Sequence, residues 1–235
     1  MMDMKRILLK LSGEALAGDK KTGFDDETVV EVSKQIKEVI DKGIEVSIVI
    51  GGGNFWRGRT SEHMERVKAD QIGMLATVMN CLYTSDALRR QGVKSHIMTP
   101  FMCGSMTELF NKDKAIEYLE KGEVVFFAGG TGHPYFSTDT ATVLMAVETE
   151  CDAILMAKAI DGVYDSDPKL NPDAKKYDSL EISEIIDKKL GVIDLAAAVL
   201  AMENNMPMML FGLNEEDSII KTVSGQFTGT MVKCE

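Results

Sequence analysis

No run of apolar residues approaches the roughly 20 that a membrane-spanning helix requires. The opening Met-Met-Asp-Met-Lys-Arg leads into a short apolar stretch interrupted by Lys10, which is not the pattern of a signal peptide. Cysteine is scarce: Cys81, Cys103, Cys151 and Cys234 stand far apart, and none has zinc-ligand spacing. They read as reduced thiols, some of them in the core, and the cytoplasm is the expected location. His63, His96 and His133 form no metal pattern either. Positive charge is also short, with 26 Lys and Arg against 37 Asp and Glu and a formal net charge of −11. Such a chain is a poor general partner for nucleic acid or for an anionic membrane, and neither is expected. Any phosphate it handles must be held by a few placed cations and by backbone N–H groups. The sequence has no repeat at a fixed period, no low-complexity tract and no evident linker.

What is present is an ordinary globular mixture, 45% hydrophobic and 27% charged, in 235 residues, enough to bury a core without disulfides. The 16 methionines are expected as core filler. Arg6–Leu11 reads as a strand followed by a turn at Ser12-Gly13. Val29, Val32, Ile36, Val39 and Ile40 have helical spacing over Thr28–Asp41, with Gly43 ending the helix. Ile44–Ile50 reads as a strand buried on both faces. Helices are expected at Met64–Arg90, Lys112–Glu120, Asp139–Thr149, Ile182–Leu190 and Leu195–Asn204. Strands are expected at Val93–Met98, Val124–Ala128, Ala153–Ala157, Met208–Phe211 and Thr230–Val232. Between 161 and 179 lies a turn-rich stretch holding two of the five prolines. Strands alternating with helices predict an α/β fold with a mainly parallel sheet and helices on both faces.

In open sheets of this kind, ligands sit beyond the carboxyl ends of the strands. Four such ends are unusual here. Gly51-Gly52-Gly53 could let N–H groups approach an anion, with Arg57 capping the same site, or could be a tight turn without a ligand. Lys10, in a strand that should be buried, is either a phosphate clamp or a side chain reaching out to solvent. Gly129-Gly-Thr-Gly-His-Pro-Tyr-Phe-Ser-Thr-Asp139 joins a glycine turn to a hydroxyl-rich helix start, with Ser137 or Thr138 as N-cap, which suits a phosphate. Asp161-Gly-Val-Tyr-Asp-Ser-Asp-Pro168 is either a nucleoside-binding loop, with carboxylates on a ribose and Tyr164 on a base, or a solvated turn. No stretch matches the P-loop or the dinucleotide-binding glycine pattern.

Taken in order, these stretches resemble the amino acid kinase superfamily and, within it, the bacterial UMP kinases. The resemblance rests on Arg6-Ile-Leu-Leu-Lys-Leu-Ser-Gly-Glu-Ala-Leu16, Val49-Ile-Gly-Gly-Gly-Asn54 with Arg57-Gly58, and Asp70 with Gly73-Met-Leu-Ala-Thr-Val-Met-Asn80. Further along it rests on Gly130–Asp139, Asp161-Gly-Val-Tyr164 and Asp194-Leu-Ala-Ala197. It covers nearly the whole chain. It implies a three-layer α/β/α sandwich forming one domain over 1–235. The half to about residue 150 would bind UMP, and the half from about 151 to 235 would bind ATP. It also implies UDP formation in pyrimidine nucleotide biosynthesis, Mg²⁺ held mainly by nucleotide phosphates, a homohexamer, and effectors such as GTP as activator and UTP as inhibitor.

Carried over by position, Lys10, Leu11, Ser12 and Gly13 would lie along the ATP phosphates, and Gly53, Arg57, Lys158, Tyr164 and Asp167 would complete that site. Gly52 and Asp70 would meet UMP, together with Thr131, Gly132, His133, Pro134, Tyr135, Phe136, Ser137 and Thr138. Lys10, Arg57 and Asp139 would be catalytic, with Asp139 orienting Lys10. Asp194 is expected to be structural, as a helix N-cap. Three positions depart from the family pattern: His133 where Asn is frequent, Ala159 where Lys is common with Lys158 one residue earlier, and Ala69 where Gly precedes the aspartate. Kinases acting on a carboxylate, carbamate or isopentenyl phosphate share the resemblance, as would a nucleotide-binding regulator or an oxyanion storage protein on the same fold.

Overall fold

The computed structural model describes residues 4–56, 63–168, 170–226 and 228–234. Along the chain run β1 (Arg6–Leu11), α1 (Gly13–Leu16), α2 (Asp26–Asp41), β2 (Glu45–Ile50), α3 (Arg66–Arg90), β3 (Ser95–Thr99), β4 (Glu108–Leu109), α4 (Lys112–Glu120) and β5 (Val124–Phe127). There follow α5 (Thr138–Glu148), β6 (Ala153–Lys158), β7 (Ser179–Glu181), α6 (Ile182–Asp187), α7 (Leu195–Glu203), β8 (Met208–Gly212), α8 (Ser218–Val223) and β9 (Thr230–Lys233).

The strands form one sheet in the order β4-β3-β5-β2-β1-β6-β8-β9-β7. Every pairing is parallel except β8 with β9. All six residues of β1 are buried, because helices cover both faces of the sheet. Alternate side chains point to opposite faces. Ile7, Leu9 and Leu11 enter one core with Val29 and Ile36 of α2, Leu88 of α3 and Ile219 of α8. Leu8 enters the other core with Leu119 of α4, Val143 of α5, Ile185 of α6 and Ala201 of α7. The mainly parallel three-layer sandwich expected from the sequence is the fold observed.

The boundaries follow the capping chemistry. α2 begins two residues before the apolar pattern because the Asp25 carboxylate accepts from Thr28 N at 3.0 Å, and Gly43, at φ +83°, carries the chain away from its end. Ser12-Gly13 is not a plain turn: Ser12 is the N-cap position of the single helical turn α1. The short elements β4, β7 and α8 have too few residues to show a period, and the sequence pattern does not announce them. Methionine is only partly core filler. Met98, Met156, Met208 and Met209 are buried, whereas Met79, Met102 and Met106 are exposed. All four cysteines are free thiols; Cys81, Cys151 and Cys234 are buried, and Cys103 is half-buried. Among the described residues, no helix is long and apolar enough to cross a membrane.

Candidate active site

The parallel register brings the unusual strand ends to one level. Lys10 lies opposite Val49 on one side and Met156 on the other, and Leu11 lies opposite Ile50 and Ala157. Ser12, Gly51 and Lys158 therefore leave the sheet side by side. Lys10 sits on the face covered by α5, whose first turn carries Asp139. The Lys10 ammonium is 2.7 Å from Asp139 Oδ1, with both side chains largely buried. Lys158, the last residue of β6, places its ammonium 3.5 Å from Asp139 Oδ2 and donates to the Val192 carbonyl. Burial alone would raise the Asp139 carboxyl, but the two ammonium groups outweigh it and hold the acid below its usual range. Burial pushes Lys158 below the ordinary lysine range; the nearby Lys10 adds to this and Asp139 opposes it. Two cations thus converge on one carboxylate at the carboxyl edge of the sheet.

Asp139 is aimed by its helix start. Ser137 is the N-cap, and its Oγ accepts from the Asp139 and Thr140 N–H groups at 3.0 and 3.4 Å. The Ser137 hydroxyl in turn donates to Asp194, as does Thr140 Oγ1 at 3.1 Å. Asp194 also accepts from Ala197 N at 3.0 Å, so it is the N-cap of α7, as expected. One carboxylate therefore locks the starts of α5 and α7 together.

Two hollows lie beside the Lys10–Asp139–Lys158 array, one walled by Thr138, the neighbour of Asp139, and the other by Lys158; Lys10 walls neither. One, of about 180 Å³, is walled by Gly52, Asp70 and Thr77, by Thr131 and His133, and by Thr138. Its loop is fixed from both ends: Gly129 N donates to Thr77 Oγ1 at 2.8 Å, and Tyr135 N donates to Asp70 Oδ2 at 2.7 Å. Gly130 and Gly132 turn this loop at φ +61° and +79°, a region that side chains disfavour. Gly52 serves close packing: a Cβ there would stand 2.9 Å from the Gly73 carbonyl and 3.0 Å from Ala76 Cβ, so β2 could not end so near α3. The other hollow, of about 590 Å³, is walled by Lys158, Tyr164, Asp167 and Pro168, by Lys189 to Val192, and by Leu210. Thr138 faces the first hollow and Lys158 the second, and Asp139 spans the gap between them.

The amino acid kinase family model matches residues 5–212. This chain belongs to the amino acid kinase family. Within the family, a uridylate kinase of Pediococcus pentosaceus is 49% identical over 234 residues, covering 98% of this chain and 97% of that protein. A UMP kinase structure from Bacillus anthracis is similar with a TM-score of 0.95 at 36% identity, covering 100% of this chain and 98% of that one. A UMP kinase from Ureaplasma parvum gives 0.92 at 34%, covering 99% and 100%.

The residues that family resemblance singled out are not all gathered in the two hollows. Gly52, Asp70, Thr131, His133, Phe136, Ser137 and Thr138 wall the smaller one, whereas Gly132, Pro134 and Tyr135 do not. Lys158, Tyr164 and Asp167 wall the larger one. The Leu11 side chain is fully buried in the core, so this residue can offer a ligand only its backbone. Gly53 faces a separate hollow beside Glu14 and Lys21. Asp161 is engaged by Lys176 Nζ at 2.8 Å and by the Tyr164 hydroxyl at 2.7 Å, which places it in the scaffold of its loop. Arg57 lies outside the described residues. Sequence reasoning passed over Trp56, Arg66, Thr77 and the 188–192 stretch. Arg66 had a signal, since it stands one helical turn before Asp70.

Proposed function

We propose that this enzyme transfers the γ-phosphoryl group of ATP to UMP, giving ADP and UDP. The observation that carries the reading is the Lys10–Asp139–Lys158 array, with Thr138 beside it on one hollow and Lys158 on the other. The smaller hollow, built from the N-terminal half, takes UMP; the larger, built from the half beyond about residue 150, takes ATP. The named relatives, uridylate and UMP kinases over almost their full length, support the same acceptor.

The UMP phosphate is already anionic at neutral pH, so its attack on the γ-phosphorus needs no general base. The barrier lies in positioning and in crowded negative charge. Lys10 and Lys158 place two positive charges beside the transferring group, and Asp139 keeps Lys10 aimed. Thr138, the first residue of α5 and a wall of the smaller hollow, offers its N–H to the UMP phosphate, because Ser137 Oγ already takes those of Asp139 and Thr140. Arg57 adds a cation from outside the described residues. Mg²⁺, which neutralises charge on the phosphates, fits this site as an ion carried by the nucleotide. Asp139, the carboxylate of the array, is engaged by lysines on both oxygens, so the phosphates themselves would hold the ion. A cytoplasmic location and effectors such as GTP and UTP belong to the same reading. So does a homohexamer: Ile72, Leu75 and Met79 form an exposed apolar stripe on α3 that a second copy would cover.

The test is ADP release from ATP-Mg²⁺ with UMP, CMP, dUMP, glutamate or aspartate as acceptor, repeated with GTP. UDP formed from UMP in preference to the others is the expected result. Turnover of an amino acid in place of UMP would discard the acceptor assignment, and binding of both nucleotides without ADP release would make the protein a binding module.

A further inference from the structure

Asp70 is held from two sides on the same oxygen. Oδ2 accepts from Arg66 Nε at 2.8 Å and from Tyr135 N at 2.7 Å, with the Asp70 side chain only 13% exposed. Oδ1 makes no hydrogen bond among the described residues, and Asp70 walls the acceptor hollow. The Arg66 guanidinium carbon also lies 5.3 Å from the centre of the Tyr135 ring. Tyr135 is 64% exposed and adopts φ +73°, a left-handed conformation that costs a non-glycine residue on the order of 1–3 kcal/mol. The strain is maintained by the hydrogen bond to Asp70 and by contact with Arg66. A half-buried i,i+4 ion pair by itself would stabilise α3 only modestly. What Arg66 does here is broader: it fixes the Asp70 carboxylate and grips the loop that closes the hollow.

We infer that Arg66 is a positioning residue that sets the preference for a ribose over a deoxyribose acceptor, by turning Asp70 Oδ1 toward the 2′-hydroxyl. This rests on the acceptor site proposed above. A carboxylate accepting from a hydroxyl makes a charge-assisted bond. Its strength depends on the carboxylate being held in one orientation, and Arg66 with Tyr135 N does the holding. Without Arg66 the carboxylate rotates and the loop loosens, so the contact made by the 2′-hydroxyl is lost while the rest of the nucleotide still binds.

The experiment compares KM and kcat for UMP and dUMP at saturating ATP-Mg²⁺ in the full chain, Arg66→Met, Arg66→Lys, Asp70→Asn and the double variant. Trp56, the one tryptophan of the chain, walls the same hollow and gives a fluorescence titration of UMP without turnover. The unaltered enzyme is expected to favour UMP by about tenfold in KM, the scale of one charged hydrogen bond. In Arg66→Met that preference collapses, with KM for UMP rising about tenfold and KM for dUMP nearly constant, and Arg66→Lys restores part of it. The double variant behaves as Asp70→Asn alone, since Arg66 acts through Asp70. Equal losses for UMP and dUMP, additive losses in the double variant, or no preference in the unaltered enzyme would each overturn the inference while leaving the kinase reading intact. Absence of UDP from the unaltered enzyme would instead overturn the functional reading beneath it. If Arg66→Met does not fold, Arg66→Gln, which also removes the guanidinium, carries the same comparison.

Discussion

Lys10 and Lys158 sit on neighbouring parallel strands and meet the two oxygens of a single carboxylate, Asp139, at 2.7 and 3.5 Å. Without that carboxylate, two buried ammonium groups would repel each other at the strand ends. With it, that repulsion is offset, and in the function proposed above the open side of the pair meets phosphate.

Lys10→Ala is expected to lower kcat by about 10²-fold or more, the scale seen when one transition-state donor is lost. KM for UMP should change much less. Steady-state kinetics decide it, and normal turnover by Lys10→Ala would remove Lys10 from the mechanism.

The depressed Asp139 acid gives a pH signature in stability. A carboxyl whose folded-state pKa is lowered contributes stability that is present above its unfolded value, near 3.8, and is lost as the pH falls through the folded one. Asp139→Asn should therefore be less stable than the unaltered chain at pH 7. The gap should narrow as the pH falls below 3.8, where the unfolded chain takes up the proton first, and close once the pH passes the lower folded value. Urea unfolding at several pH values measures the gap; a constant difference down to the lowest accessible pH would contradict the assignment.

Asp194→Ala removes the N-cap of α7 and the anchor of Ser137 and Thr140 together. Loss of a cap alone costs about 1 kcal/mol. Two helix starts are involved here, so a Tm drop of roughly 3–6 °C is expected for a chain of this size. Calorimetry checks this, and a Tm unchanged within a degree would show that neither start depends on Asp194.

Gly52→Ala would press a methyl group against the Gly73 carbonyl and Ala76. Overpacking of this kind costs about 1–3 kcal/mol. Because the displaced backbone also walls the acceptor hollow, KM for UMP should rise together with the loss of stability. A stable variant with unaltered KM would mean that α3 and β2 can part without consequence.

Leu75→Glu places a charge in the apolar stripe of α3, on a side chain 54% exposed in the single chain. Light scattering should show a smaller assembly than that of the unaltered protein. An unchanged mass would put the subunit contacts elsewhere.

The sheet and most helices were legible from pattern alone, because β-branched runs such as Ile44–Ile50 and the spacing of Val29, Val32, Ile36 and Val39 are long enough to show a period. Lys10 was legible for another reason: a charge in a buried strand demands a partner. Which partner was not legible from spacing, since Asp139 lies 129 residues away; the resemblance to known kinases supplied it. The grip of Arg66 on Asp70 and Tyr135 escaped notice because an Arg and an Asp four apart on a helix usually mean only a solvated pair. The short edge elements β4 and β7 escaped because two or three residues carry no pattern. The surface methionines escaped because composition does not tell inside from outside.

The placement of β1 bears on how this protein can be taken apart. The first strand lies between β2 and β6, and in the function proposed above Lys10 on it serves the phosphates of a nucleotide taken by the hollow that residues beyond 150 wall. A fragment beginning there would carry a raw, unpaired β6 edge and no Lys10. The two halves cannot be traded as cassettes: recombination with another kinase would have to exchange the opening eleven residues along with the closing eighty-five.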